Sequence, residues 1–323
     1  HLTSPIGGGT DASSRYVRSV DALVKRPSLD RIAASLKLGG GDSLEMVYLS
    51  AFADEIDPDL DLQIKHCKLN GVTHFELRSV NKINVLDFDP QLRSEIKRKL
   101  SDAGLGVVSI GSPIGKVAID KPFNDHLDRF KTAVDMAEFF DAPLIRVFSY
   151  YPPGGEGKGA VEPLKDEVID RFRQKVAYIE NRNVTMVHEN EKGIFGEKGK
   201  TCLQLMSGVN SPKLRTAFDF ANFVQAKEKP LDNWPGLKPF TTHIHIKDAL
   251  LKDASVVPAG EGDGDIEAIV VDAYRSGYRG YLTLEPHLKV AGHSHGETGP
   301  ELFKTAADAL KKILARNNIP LAS

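Results

Sequence analysis

Short apolar runs rich in β-branched and aromatic residues alternate with amphipathic helical patterns, and this alternation restricts the fold more than any other feature. Eight such runs predict strands over Met46–Phe52, His74–Ser79, Gly106–Gly111, Leu144–Tyr150, Val184–Asn190, Leu214–Ala221, Thr242–Asp248 and Tyr281–His287. Helices are predicted at Asp59–Asn70, Pro90–Ala103, Asn124–Phe140, Lys165–Asn181, Ile266–Ser276 and Pro300–Ala315. Eight βα repeats favour an α/β fold closed into a (β/α)8 TIM barrel over an open sheet.

The first 45 residues differ in texture from the rest of the chain. Glycine clusters at 7–9 and 39–41 flank an amphipathic stretch over Val17–Leu36, a pattern that predicts one helix between linkers. We therefore expect an N-terminal extension over residues 1–45, of an origin that the sequence leaves open, and a barrel over residues 46–323. Barrels of ~250 residues form single domains, so the chain length does not require a second one.

Composition narrows the classes of partner. The formal net charge is −2, so no global field draws the protein to nucleic acid or to an anionic membrane. No apolar run approaches the ~20 residues needed to span a bilayer, and Cys67 and Cys202 both lie in helical patterns rather than in a bridge-rich loop. We expect a cytoplasmic protein with a small-molecule substrate and without a nucleic-acid or membrane partner.

Charged residues cluster where the predicted strands end. In a (β/α)8 barrel the functional side chains lie at the C-terminal ends of strands, and reading those ends gives Glu76, Arg78, Arg146, His188, Glu189, Asp219, His245, Lys247, Asp248, Glu285 and His287. Such charges are costly to bury unless they pair or bind a metal. Three carboxylates and one imidazole form an oxygen-rich ligand set that suits Mn²⁺, Mg²⁺ or Co²⁺ better than a thiolate zinc site does.

Several motifs around these residues resemble those of one family. They are His188-Glu189-Asn190, Phe218-Asp219-Phe220, His243-Ile244-His245-Ile246-Lys247-Asp248, Pro258-Ala259-Gly260-Glu261-Gly262-Asp263 and Thr283-Leu284-Glu285-Pro286. Over Met46 to about Leu314 the chain resembles the xylose isomerase-like barrels, the sugar phosphate isomerase and epimerase group. The resemblance implies that Glu189, Asp219, His245 and Glu285 ligate one divalent ion, with Mn²⁺ favoured over Mg²⁺, Co²⁺ and Zn²⁺.

The same resemblance implies a chemistry. A metal that holds a carbonyl and a neighbouring hydroxyl stabilises an enediolate oxygen, so Glu189 and Glu285 could give and take the proton of a sugar or sugar phosphate. A metal-dependent isomerase or epimerase is therefore the first hypothesis. The string His188-Glu189-Asn190-Glu191-Lys192 also resembles a subgroup that cleaves 3-oxo-glycosides by elimination, which would make His188 the base of a lyase. A non-catalytic sugar-binding protein is the third hypothesis.

Residues around the predicted ligands are candidates for substrate contact. We expect this role for Glu76, Arg78, Arg146, Asn222, Lys247, Glu261 and His287, although both arginines could instead neutralise nearby carboxylates. Asn222 replaces the histidine that a DNA-repair branch of the family carries, and Leu251 replaces an arginine of ketose 3-epimerases, so neither of those substrates is implied.

The remaining conspicuous residues have simpler predicted roles. His243 is expected to be a hydrogen-bonded core histidine, His126 a surface residue, and His293 and His295 part of a solvated loop. Around Trp234, the segment Leu231–Pro239 reads as a loop that could cover the pocket or join an oligomer contact. A homo-oligomer is compatible with these features.

Overall fold

The computed structural model describes residues 45–289 and 296–322. The predicted helix over Val17–Leu36 with its glycine linkers, and the predicted solvated loop of His293 and His295, lie outside these described residues.

Eight parallel strands close into a barrel. Their bounds are β1 Tyr48–Ala51, β2 His74–Leu77, β3 Gly106–Ile110, β4 Leu144–Val147, β5 Thr185–Glu189, β6 Leu214–Asp219, β7 Thr241–Ile246 and β8 Tyr281–Leu284. Each strand pairs with its sequence neighbours, and β8 closes the ring on β1 with Ser50 opposite Thr283. The predicted (β/α)8 barrel is therefore confirmed.

Several predicted strands are too long at their C-terminal ends. The run Leu144–Tyr150, for example, is buried throughout, but ladder pairing stops at Val147. Beyond that point the backbone N–H groups of Phe148 and Tyr150 donate to the carbonyls of Ile114 and Gly115 in the loop after β3. Burial continues after pairing has ended, so the apolar pattern overestimates the strand.

Helices surround the barrel on its outer face. They are α1 Leu60–Leu69, α2 Pro90–Asp102, α3 Phe123–Phe139, α4 Lys165–Ile179, α5 Gly199–Val209, α6 Phe220–Gln225, α7 Pro230–Leu237, α8 Ile266–Arg275 and α9 Gly299–Arg316. The starts of α1 and α2 have a local cause, because Asp59 and Asp89 each accept a hydrogen bond from the backbone N–H three residues later.

The segment around Trp234 is a helix rather than the predicted loop. In α7 the Trp234 ring packs edge-on against Phe218, and its indole N–H donates to Asp272 at 2.7 Å. The side chain is 4% exposed. The prolines at the first turn of α7 and inside it favoured a loop in the sequence pattern, and this prediction of a loop is wrong because Trp234 anchors a helix to the barrel wall.

His126 is also misplaced by the sequence pattern. It lies on α3 with its ring partly buried, 5.4 Å from the ring of Tyr150 in an edge-on contact. Burial lowers the pKa of His126 to about 3, with the charges of Lys175 and Arg171 acting in the same direction. The predicted surface position is wrong.

The barrel interior changes character along its axis. At the N-terminal end Val108, Leu144, Val187, Ala217 and Tyr281 form an apolar cluster. Toward the C-terminal end the interior is lined by buried polar and charged side chains, which places the chemistry of the protein at that end. Within the described ranges, no helix combines the length and apolar character needed to cross a membrane.

Candidate metal centre

The predicted ligands converge at the C-terminal end of the barrel. Glu189 and Asp219 are the last residues of β5 and β6, His245 lies in β7, and Glu285 directly follows β8. Neighbouring strands set them side by side, with Asp219 opposite His245 in the β6–β7 register. One donor atom from each residue lies within 4.8 Å of the others, and none of the side chains belongs to a residue more than 3% exposed.

The histidine of this cluster presents a ring nitrogen to the carboxylates. His245 Nδ1 is 3.2 Å from Glu189 Oε1 and 3.5 Å from Glu285 Oε2. It has no hydrogen-bond partner among the described residues. These two contacts are ion pairs only when the imidazole is protonated. With a neutral ring, the nitrogen lone pair and the carboxylate oxygens converge on one place, a donor set that suits a cation.

The two carboxylate oxygens of Asp219 have different contacts. Its Oδ1 accepts from the backbone N–H of Asn222 at 2.7 Å and caps α6, whereas Oδ2 makes no hydrogen bond to a described residue. Lys247 Nζ lies 3.0 Å from Oδ2. Burial raises the pKa of Asp219 to about 7; Lys247 opposes this effect, and the nearby carboxylates of Glu189 and Glu285 add to it. The donor set of carboxylate oxygens and one ring nitrogen fits a divalent ion.

Asn222 supports the cluster from the start of α6. Its side-chain amide donates to the Asn190 carbonyl at 2.8 Å and to Glu189 Oε1 at 3.3 Å. Asn190 in turn exchanges hydrogen bonds with the backbone of Asp219. These contacts fix the ends of β5 and β6 relative to each other, a role that the sequence did not reveal for Asn190.

Predicted substrate-binding cations surround the carboxylates. Arg146 Nη1 is 3.1 Å from Glu189 Oε2, Arg78 Nη1 is 3.3 Å from Glu285 Oε1, and Lys247 Nζ is 3.3 Å from Glu285 Oε2. Both guanidinium groups lie 4.6 Å from the centre of the Phe52 ring. The two arginines therefore neutralise carboxylates of the ligand cluster, which we call the pocket floor. The sequence had left this role open for them beside contact with substrate.

Glu76 occupies a different place from the one predicted. It lies below the ligand cluster, 1% exposed, and accepts hydrogen bonds from His243 Nε2 at 2.6 Å, His245 Nε2 at 3.1 Å and Ser109 Oγ at 3.1 Å. His243 is, as predicted, a hydrogen-bonded core histidine. Glu76 is enclosed by these partners, and its contact with substrate stays a prediction.

His188 faces the helix layer and not the pocket. Its Nε2 lies 2.9 Å from Ser149 Oγ, and its ring packs edge-on against Phe172 of α4. A Cβ at Gly196 would lie 2.2 Å from the ring, so that glycine permits the close packing. Burial lowers the pKa of His188 to about 3 and keeps it neutral. Because adjacent strand residues point to opposite faces, His188 and Glu189 face opposite sides of the barrel wall. This orientation does not favour His188 as a base, and that role stays a prediction.

The mouth of the barrel contains a carboxylate that the sequence reading missed. Glu55, which follows β1, accepts from the backbone N–H of His287 at 2.9 Å and from Thr298 Oγ1 at 2.6 Å, and its Oε1 is 3.2 Å from His287 Nε2. His287 Nε2 is also 3.4 Å from Glu285 Oε1. The sequence contained a signal for Glu55, because the pair Asp54-Glu55 directly follows the apolar run of β1. Functional side chains are expected at the C-terminal end of this strand as at the others.

The loop that contains Glu261 is tied down by another carboxylate. Asp248 accepts hydrogen bonds from the backbone N–H groups of Gly260, Gly262 and Gly264 and from Ala249. Glu261 itself is exposed. The structure does not bring it into the ligand cluster, and its contact with substrate stays a prediction.

Fold and site together define a (β/α)8 barrel with a candidate metal centre of carboxylates and one imidazole. The chain belongs to the xylose isomerase-like TIM barrel family, whose model matches residues 64–313. It is 20% identical over 179 residues to the 3-dehydroshikimate dehydratase of Bacillus anthracis, covering 55% of this chain and 62% of that protein. The chain thus spans about three fifths of that relative's length.

Solved structures share the fold at low identity. A D-tagatose 3-epimerase-like protein matches with a TM-score of 0.67 and 15% identity, covering 84% of this chain and 98% of the other. A xylose isomerase-like TIM barrel protein from Mycobacterium smegmatis, in complex with magnesium, matches with a TM-score of 0.65 and 14% identity, covering 86% and 99%.

Proposed function

We propose that this chain is a divalent-metal-dependent enzyme that isomerises or epimerises a sugar by moving a proton on a carbon next to a carbonyl group. One observation carries the proposal: Nδ1 of His245 lies among the converging carboxylates of Glu189, Asp219 and Glu285. A divalent ion held by these four residues would supply Lewis-acid stabilisation of the negative charge that develops when the proton is removed.

The two glutamates are suited to give and take the proton. In each carboxylate one oxygen faces His245 and the other faces Arg146, whose Nη1 lies 3.1 Å from Glu189 Oε2 and 3.7 Å from Glu285 Oε1. Burial and the charge of Glu285 would raise the pKa of Glu189, but His245 and Arg146 outweigh them and lower it to about 2. Both carboxylates are thus ionised at neutral pH, which a proton acceptor requires.

Charge pairing favours a neutral substrate. Arg78, Arg146 and Lys247 all lie within 3.3 Å of a carboxylate oxygen, so the buried cations described at the pocket floor are already compensated. A phosphate group needs unshared cationic donors. We therefore propose a neutral sugar over a sugar phosphate, with Lys247 placed to donate to a substrate oxygen and Mn²⁺ or Mg²⁺ as the ion.

A lyase is the second candidate, and the similarity to a protein named as a dehydratase favours it. Elimination also begins with removal of a proton next to a carbonyl, so the same carboxylates would serve. With His188 outside the pocket, Glu189 or Glu285 would have to be the base. The products separate the two reactions: an epimer keeps every bond of the carbon skeleton, whereas a lyase releases water or an aglycone.

The test combines metal analysis with proton exchange. Wild type, Asp219→Asn and the distant control Asp272→Asn are dialysed against Mn²⁺, and metal content is measured by plasma mass spectrometry. Each protein is then incubated in D₂O with neutral ketohexoses and with the matching ketose phosphates, and deuterium incorporation is followed by NMR.

We expect about one ion per chain and deuterium in a neutral ketose for wild type and Asp272→Asn, and neither for Asp219→Asn. Metal binding with sugar binding but without any exchange would identify a non-catalytic sugar-binding protein. A wild type that holds no ion would show that the cluster is an ion-pair network and remove the proposal.

A further inference from the structure

We propose that Glu76, with His243 as its partner, is a positioning residue that fixes the ring of His245 so that Nδ1 is free to bind the metal. This inference rests on the metal site proposed above and extends it to residues that do not touch the ion. It concerns the polar layer directly below the ligand cluster.

The two nitrogens of His245 have separate partners. Nδ1 faces Glu189 and Glu285, whereas Nε2 lies 3.1 Å from Glu76 Oε2. A neutral imidazole carries one proton, and a metal needs the nitrogen that does not carry it. A carboxylate at Nε2 requires that nitrogen to donate, so it selects the tautomer that leaves the Nδ1 lone pair exposed to the carboxylate cluster.

The carboxylate of Glu76 is surrounded by hydrogen-bond donors. His243 Nε2 lies 2.6 Å from the same Oε2 atom, and Ser109 Oγ donates to Oε1 at 3.1 Å. An ionised carboxylate only accepts hydrogen bonds, so each of the three neighbours must donate to it.

The network continues across the barrel interior. Thr283 Oγ1 lies 3.0 Å from His243 Nε2 and 2.6 Å from Ser50 Oγ, which joins β1 and β8 to the same chain of contacts. Glu76 belongs to β2 and His245 to β7, strands that are not neighbours in the ring. Their hydrogen bond therefore spans the barrel lumen, and both side chains are fully buried.

We expect the replacement of Glu76 to affect metal affinity more than it affects folding. Partners of metal-binding histidines typically change the affinity about 10-fold to 100-fold when they are replaced. Glu76→Gln keeps the size of the side chain but removes its charge, so a neutral amide oxygen, a weaker acceptor than a carboxylate, would face the two histidine N–H groups. Thr283→Val is the matched control, because it removes a hydroxyl that contacts His243 and Ser50 but makes no hydrogen bond to His245 or Glu76.

The experiment measures the Kd for Mn²⁺ by isothermal titration calorimetry in wild type, Glu76→Gln, His243→Gln and Thr283→Val. Urea unfolding of the metal-free proteins reports stability separately. In the Zn²⁺-loaded, ¹⁵N-histidine-labelled proteins, NMR identifies which nitrogen of His245 carries the proton; the resonance is assigned by its loss in His245→Asn.

The inference is supported if the Kd for Mn²⁺ is at least about 10-fold higher in Glu76→Gln and unchanged in Thr283→Val. It also requires that Nε2 of His245 carries the proton in wild type. His243 reaches His245 only through Glu76, so His243→Gln should weaken metal binding less than Glu76→Gln does. The His243→Gln variant carries the test if Glu76→Gln does not fold. An unchanged Kd in Glu76→Gln, or equal weakening in Thr283→Val, would overturn the inference while leaving the metal site intact. Absence of metal from wild type would instead remove the site itself.

Discussion

A lysine buried away from any carboxylate offers a quantitative test of the electrostatics. Lys175 on α4 is fully buried, and its Nζ lies 2.5 Å from Tyr150 Oη and 4.5 Å from the centre of the Phe172 ring. The charged or titratable groups around it are Arg171 on the same helix, Tyr150, and the two histidines His126 and His188. Burial, with a smaller effect of Arg171, lowers the pKa of Lys175 from 10.5 to about 7.

The sign and size of the effect follow from linkage. The unfolded chain binds the proton up to about pH 10.5, whereas the native protein releases it near pH 7. The lysine therefore destabilises the native state most below pH 7, by roughly 5 kcal/mol, and roughly 4 kcal/mol of this penalty remains at pH 7. The penalty disappears as the pH rises toward 10.5. Between pH 7 and pH 9.5 the penalty should fall by about 3 kcal/mol.

We expect Lys175→Met to be more stable than wild type at pH 7 and the difference to shrink as the pH rises. Met has similar length and no charge to desolvate. The measurement is the free energy of unfolding in urea from pH 7 to pH 9.5, with Lys165→Met, an exposed position on the same helix, as the control. A less stable Lys175→Met at pH 7, or a difference independent of pH, would refute the reasoning and show that the aromatic rings hold the ammonium in its charged form.

Three further outcomes are expected. Gly115→Ala should lower the free energy of unfolding by about 3 kcal/mol or more, because residue 115 has φ +95° and an added Cβ would lie 1.9 Å from the Phe148 carbonyl oxygen. Urea unfolding measures this change, and an unchanged free energy would show that the turn can relax. Asp248→Ala should expose the loop over residues 258–265 to limited proteolysis, since four backbone N–H groups lose their acceptor; an unchanged cleavage rate would contradict that role. His188→Gln should reduce stability yet leave the rate of deuterium exchange into substrate nearly unchanged, whereas a large loss of exchange in a folded variant would restore His188 as a catalytic base.

Neighbouring residues of β5 show why side-chain direction was harder to predict than position. The sequence placed both His188 and Glu189 at a strand end, and alternation indicated that only one of them enters the pocket. The contacts with Ser149 and Phe172 decide that His188 is the outer one. Ser149 lies in the loop after β4 and Phe172 lies on α4, so the local sequence pattern around His188 does not reveal these contacts.

Glu76 and Glu55 show the same limit for carboxylates. Glu76 was expected to contact substrate because the nearby sequence offers no cation except Arg78, but its partners His243 and His245 come from the far side of the barrel. Glu55 was overlooked because its partners, His287 and Thr298, lie more than 230 residues away. A charge at a strand end can be found from sequence, whereas its depth in the barrel depends on which distant side chain meets it.

By itself, the sequence determined the barrel and the set of candidate ligands that cluster in it. A short apolar run followed by an amphipathic helical pattern is a local signal that each βα unit carries in its own residues, and parallel closure brings every strand end to one face. Only the tertiary structure decided that Trp234 anchors a helix, that His188 faces outward, and that Glu76 supports His245 from below. Such roles are set by hydrogen bonds and packing between residues far apart in the chain, which form only once the barrel has closed.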